Sequence, residues 1–350
     1  MAMEAEGSLP FQDDDTNMSV LTLEELALLP LCGIPAYRAV RTFIYAFSSL
    51  REGGMASPMT ASGGVEFGSM NSSKKAMTEH LQDRRRRALV LRGHEGVGAM
   101  AVQILARRGW KVSVHVPFSS SSIYEPSTEE HDRLSRNIQD RARDWGADEI
   151  IFDEEAGEGI DDGRAAAIRV IESLREDGDV FDAILDTVGG KEVREAGERL
   201  LRCAGVLPAT PGANGVFAGN EPRATATSKA KGMSQFTTVV GDVPERPIPT
   251  AADNFRAGLR SLSGTAGNGD EGATDIKGNR VGYAWVSVAQ DVDWEGEDIG
   301  DTLGLVLQLA LEDGVRPVIH RVVPFERAPY VFVDRGPLGH GCNVVVKTVG

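Results

Sequence analysis

The eleven residues Ala88 to Gly98, ALVLRGHEGVG, restrict what this chain can fold into more than any other stretch. Ala88, Leu89, Val90 and Leu91 form a short apolar run that suits a buried strand and stops at a glycine-bearing turn. Directly after it, Val97, Met100, Ala101, Ile104 and Leu105 recur at the spacing of one helical face, and Gly109 closes that helix. Lys111 to Val116 (KVSVHV) then alternates polar and apolar, as a second strand does. The unit reads as strand, turn, helix, strand. A glycine turn feeding a helix amino end aims backbone N–H groups and the helix dipole at one point, which is how such units hold phosphate.

The turn departs from the GxGxxG pattern in one place. The middle glycine of that pattern exists because a pyrophosphate passes too close to the backbone for any side chain to fit. Across Gly93, His94, Glu95, Gly96, Val97 and Gly98 the middle position falls on Glu95, which adds bulk and a negative charge. A carboxylate there repels a diphosphate. Two readings therefore stand side by side: a dinucleotide site, or the same fold without tight cofactor binding.

Further along, periodic segments alternate between strand and helix character. An amphipathic stretch from Thr128 to Trp145 ends at Gly146, and Glu149 to Phe152 reads as a short strand. A helix is expected at Arg164 to Arg175, a strand at Val180 to Leu185, a turn at Asp186 to Gly190, a helix at Lys191 to Arg202 and a strand at Val206 to Ala209. This order predicts an α/β fold of the Rossmann type, a doubly wound parallel sheet with helices on both faces. Ligands of such sheets sit at the carboxyl ends of the strands, so Gly93 to Gly98, Ser119 to Ser122, Asp186 to Gly190 and Thr210 to Gly215 are expected along one rim. The second strand ends without an acid at Pro117 and Phe118 and runs into four serines, which favours NADP over NAD.

The remainder divides by composition. Residues 1–19 read as a disordered acidic tail, and 20–50 as a helical lead-in in which Thr22 caps the first helix, Gly33 and Pro35 punctuate, and Ala36 to Leu50 form the second. Residues 51–87, rich in Gly, Ser, Met and Lys, read as a flexible insertion, and the four arginines at its end as a solvated linker or an anion contact. The main unit is expected over 88–335, with loops and short elements at 211–280 and periodicity there at Phe236 to Val240 and Phe255 to Leu262. Val281 to Val288 reads as a strand, Asp298 to Glu312 as a helix, and Val318 to Val323 and Asn343 to Val349 as strands.

Charge and cysteine usage narrow the partners. A formal charge of −15 argues against nucleic acid or an anionic membrane as the primary partner. Cys32, Cys203 and Cys342 are far apart, and the six histidines form no HxxxH or HExxH pair, so no metal is expected. The amino terminus lacks the basic and apolar regions of a signal peptide, and no run of 18 apolar residues occurs, so a cytoplasmic protein without a membrane span is expected.

Five stretches in order resemble the medium-chain dehydrogenase/reductase superfamily, in its zinc-independent quinone-reductase-like branch: LALLPLCGIPAYRAV at Leu26 to Val40, ALVLRGHEGVGAMAVQILARRGWKV at Ala88 to Val112, WGADEIIF at Trp145 to Phe152, FDAILDTVGG at Phe181 to Gly190 and RPVIHRVVPFERA at Arg316 to Ala328. The resemblance implies an NADP(H)-dependent oxidoreductase that transfers hydride to a small quinone or enone. It implies phosphate contacts at Gly93, Gly96, Val97 and Gly98, a 2′-phosphate region at Ser119 and Ser120, and nicotinamide-side contacts at Val188 and Gly189. It carries over no catalytic residue. It implies a homodimer through Val281 to Val288. It also implies that the amino-terminal GroES-like barrel domain is absent or truncated, so that the strand within 336–350 must find another edge, stay exposed or pair with a partner. The long insertion and the eroded glycine turn also resemble a fungal branch of the superfamily linked to delivery of the plasma-membrane proton ATPase, which implies a non-catalytic scaffold.

Overall fold

Thr22 caps the first helix. Its hydroxyl accepts from the Glu25 amide at 3.2 Å while the Glu25 carboxylate accepts from the Thr22 amide at 2.8 Å, a reciprocal cap that satisfies two helix-end donors. The computed structural model describes residues 20–48, 85–117, 128–153, 162–203, 233–243, 250, 280–287, 296–331 and 343–348. Helix α1 (Leu23–Leu28) passes through one π-helical turn (Leu29–Gly33) into α2 (Ile34–Ser48). The expected punctuation at Gly33 and Pro35 does not interrupt the chain. Pro35 is the second residue of α2, directly after the π-helical turn, and its missing N–H gives no bond back to that turn.

Six strands form one sheet, all neighbours parallel: β1 (Arg87–Val90), β2 (Lys111–Pro117), β3 (Glu149–Asp153), β4 (Ala183–Asp186), β5 (Met233–Thr238) and β6 (Arg280–Trp285), in the spatial order β3-β2-β1-β4-β5-β6. This is the doubly wound order of the Rossmann fold, and the topology reverses between β1 and β4. Between the strands run α3 (Gly96–Arg107), α4 (Thr128–Asp144), α5 (Asp162–Glu176) and α6 (Lys191–Cys203); α7 (Ile299–Glu312) follows β6. The periodic stretch at Phe236 falls in β5, a buried interior strand inside the segment read as loops. The expected strand at 206–209 and the segment 255–262 lie outside the described residues.

Strand β1 shows how the layers form. Ala88 and Val90 face a core shared with α2, α3 and α7, whereas Leu89 and Leu91 face a second core shared with α5 and α6. Each of the four is fully buried, the pattern of a strand covered on both sides. Helix α2 is tied to its surroundings by Thr42, whose hydroxyl meets that of Thr237 at 2.6 Å, and by an Arg41–Glu297 ion pair next to the start of α7. Asp298 caps α7, accepting from the Asp301 amide at 2.8 Å.

The terminal strand finds an edge within the chain. Strand β8 (Val344–Lys347) pairs in parallel with β7 (Arg321–Pro324), which runs into a 3-10 helix (Phe325–Val331), and Lys347 reaches back to Glu24 beside α1.

Gly197 sets how closely α6 approaches the sheet, because a Cβ there would lie 2.5 Å from the Phe236 ring. Gly197→Ala should gain about 1 kcal/mol of helix propensity and lose about 1–3 kcal/mol to overpacking. The net expectation is a lower urea midpoint at unchanged slope; an unchanged or raised midpoint would contradict the packing described.

Candidate functional site

The carboxyl ends of parallel strands are where this sheet leaves room for a ligand, and the reversal between β1 and β4 opens the deepest point of that rim. Two turns meet there. The turn after β1 is held on one side by the Gly93 amide donating to the His115 carbonyl of β2 (3.1 Å) and on the other by the Leu91 amide donating to the Leu185 carbonyl of β4 (2.9 Å). The Thr187 hydroxyl donates to the Leu91 carbonyl at 2.7 Å, tying the second turn to the first.

The glycines of the first turn have separate tasks. A Cβ on Gly98 would lie 2.5 Å from the Arg92 carbonyl oxygen and 2.9 Å from the Gly93 Cα, so only glycine lets α3 start this close to β1. A Cβ on Gly93 would press on Val90, Val102 and Val114. Gly96, at φ +52°, has almost open space around its absent side chain, and the nearest atom is the Asn343 Oδ1 at 3.9 Å. Arg92 also takes a positive φ, of 51°.

Glu95 is the N-cap of α3 by position, with its carbonyl accepting the first helical bond from Ala99 at 3.1 Å. Its side chain caps nothing. The amides of Gly96, Val97 and Gly98 therefore keep the unpaired character of a first helical turn. The Glu95 carboxylate turns instead to Arg92, in a direct ion pair, and its other oxygen lies 3.9 Å from the Nε2 atoms of both His94 and His320. It is 8% exposed. Burial pushes its pKa up, while Arg92 and, more weakly, Arg141 oppose that shift.

Residues from distant parts of the chain complete the cluster. Arg141 of α4 acts on Glu95, Glu95 in turn supports its charge against burial, and its guanidinium lies 5.9 Å from the Trp145 ring. His320 accepts at Nδ1 from the Asn343 amide (3.0 Å), and the Asn343 side-chain amide donates to the Val318 carbonyl at 2.9 Å. Gln103 of α3 holds this segment down by donating to the Arg316 carbonyl and accepting from the Arg316 amide. Several buried atoms of the cluster have no hydrogen-bond partner among the described residues: the Nε atoms of Arg92 and Arg141, Nδ1 of His94 and both ring nitrogens of His115. Burial, reinforced by Arg92, holds His94 at about 3, and burial against the pull of Asp153 holds His115 at about 4.

In the second turn, Asp186 Oδ1 accepts from the Val188 amide at 2.9 Å and the Gly189 amide at 2.8 Å. The end of β5 repeats the device: the Thr238 hydroxyl accepts from the Val240 and Gly241 amides at 3.2 and 2.9 Å. Complete burial raises the Asp186 pKa in spite of these bonds.

The structure thus brings Gly93, Gly96, Val97 and Gly98 together with Val188 and Gly189 at one rim. The amides of Val188 and Gly189 are spent on Asp186; Val188 is partly exposed and Gly189 buried. Ser119, Ser120 and the stretch 210–215 lie outside the described residues. Sequence reasoning did not single out Arg92, Arg141, His320 or Asn343. Asp186 had a local signal, an acid at a strand end before Val188 and two glycines. Among the described residues no group of three or more His, Cys, Asp or Glu could hold a metal ion, and no helix is long and apolar enough to cross a membrane.

No protein-family model and no curated protein matches the chain. Among solved structures, AibC is similar at 13% identity, over 94% of this chain and 62% of that one, with a TM-score of 0.45. A cobalt- and zinc-bound thermostable alcohol dehydrogenase from Pyrobaculum aerophilum is similar at 14% identity, over 94% and 58%, with a TM-score of 0.43. The quinone oxidoreductase of Thermus thermophilus, also solved as its NADPH complex, is similar at 15% identity, over 90% and 62%, with a TM-score of 0.39. The chain spans about three fifths of the length of these proteins.

The two buried imidazoles make stability depend on pH. Their folded values of about 3 and about 4 lie below the ordinary 6.5, so their contribution is whole above pH 6.5 and is lost as pH falls through that interval. Between pH 6.5 and about 5.5 each should remove about 1 kcal/mol. Urea unfolding across that range should show the loss, and His115→Leu should remove about half of its slope; a slope untouched by this substitution would contradict a neutral buried His115.

Proposed function

We propose that this chain is an NADP(H)-dependent oxidoreductase-like protein of the quinone or enone reductase type. The observation that carries this reading is the glycine turn of Gly93 and Gly98 opening α3 beside the β1/β4 reversal of a parallel sheet. The uncapped amides of Gly96, Val97 and Gly98 fit a pyrophosphate, and the turn from Asp186 to Gly190 borders the crevice where the nicotinamide end would lie. The nicotinamide supplies the hydride chemistry; the chain supplies binding and orientation. At one position the residues do not fit, because Glu95 places a carboxylate beside the pyrophosphate path. We derive no chemical step through the cofactor for that reason.

That misfit favours a second reading, a non-catalytic Rossmann scaffold acting in protein trafficking, of the kind implied by the resemblance to the ATPase-targeting branch. Titration of the purified chain with NADPH and NADH separates the two. A dinucleotide at about 100 times its Kd adds about 2.7 kcal/mol of stability. A saturable rise in melting temperature with NADPH, followed by NADPH oxidation with a quinone or enone, is expected of the reductase. No shift with either nucleotide would remove that reading and leave the scaffold.

The edge of the sheet at β6 supports a homodimer. Val281 and Tyr283 are buried in the core under this strand, which stands last in the sheet order among the described residues, and an edge with no partner strand there invites pairing with a second copy. Light scattering on the eluting chain should give twice the 37.5 kDa monomer mass; a monomer at all concentrations would remove this proposal.

A further inference from the structure

We propose that the phosphate cradle at the start of α3 carries its own counter-anion: the Glu95 carboxylate pairs with the cradle's cations, and a dinucleotide must displace it to bind. This inference rests on the dinucleotide reading of the site and adds how the site is restrained.

Three observations support it. First, the helix start still has what an anion site needs, since the Glu95 side chain leaves the amides of Gly96, Val97 and Gly98 uncapped although an N-cap carboxylate ordinarily takes them. Second, among the described residues that carboxylate is surrounded by cationic and nitrogen groups from three parts of the chain. They are Arg92 and His94 in its own turn, Arg141 from α4, and His320 from the segment entering β7; Asn343, entering β8, lies over Gly96. Third, one carboxylate does not satisfy this set. Two guanidinium groups act on it, each with a buried Nε that has no hydrogen-bond partner among the described residues, and the fully buried His115 beside them has none there at either ring nitrogen. The cradle therefore holds more donors than Glu95 can use, which is the arrangement for a multivalent oxyanion such as a pyrophosphate. Its extended backbone (φ −148°, ψ 164°) is open to any residue, so the carboxylate sits there without strain.

The test uses the 350-residue chain as parent, Glu95→Gln and Glu95→Gly, with inorganic pyrophosphate and NADPH as probes. Binding is read by calorimetry and by melting temperature, after circular dichroism has shown that each variant is folded. Glu95→Gln should bind both probes about tenfold or more tighter than the parent. Glu95→Gly clears the middle position of the turn while keeping both guanidinium groups, and should also bind more tightly than the parent. It carries the test if Glu95→Gln alone does not fold. Folded variants that bind pyrophosphate no tighter than the parent would overturn the inference, as would measurable NADPH binding of equal affinity in parent and variants; the latter would leave the dinucleotide reading intact. A gain for pyrophosphate with no NADPH binding by parent or variants would support the self-paired cradle and overturn the dinucleotide reading instead.

Discussion

The contact between the first turn of α3 and the end of β1 governs the rest of the architecture. With the Gly98 Cβ position only 2.5 Å from the Arg92 carbonyl oxygen, any side chain would push the helix off the strand. That approach brings the α3 amides to the sheet reversal and sets Glu95 facing Arg92. It also aligns Gln103, one helical face further on, with the Arg316 backbone that carries His320 over the cleft. The close packing and the charge cluster are thus one construction.

Electrostatics explains why the cluster persists. An exposed ion pair contributes about 0–1 kcal/mol, and breaking a buried one by removing a partner costs about 3–5 kcal/mol. Arg92 is 29% exposed and Glu95 9%, so this pair lies between those limits and toward the buried one. Its place at the start of α3, beside the sheet reversal, is the feature that separates the two functional readings. Around it His94 and His115 stay neutral, so the charge of the cleft at neutral pH is set by Arg92, Arg141 and Glu95.

Much of the fold was legible because hydrophobic period and turn residues are local signals. The run Ala88 to Leu91, the helical spacing after Val97 and the strand–helix alternation to Asp186 correspond to observed elements, and the Thr22 cap is present. Two points were less clear. The segment 211–280 reads as loops because its glycine, alanine and proline content masks the single buried strand Met233–Thr238, which is held by β4 and β6 rather than by its own periodicity. At Gly33 and Pro35 the chain reads as interrupted, yet the backbone stays helical, since the absent Cβ of Gly33 admits Val306 of α7.

The strand–helix alternation, the place of the glycine turn and the carboxylate at its middle position can all be read along the chain, because each signal is carried by residues within a few positions of one another. What that carboxylate does depends on groups that meet only in the folded chain. Its partners Arg141 and His320 come from α4 and from the segment entering β7, and nothing in their own neighbourhoods marks them. Likewise the sequence left the terminal strand without a partner, and the fold supplied β7. Charge pairing and strand pairing act through space, so their outcome appears only where the folded chain brings the groups together.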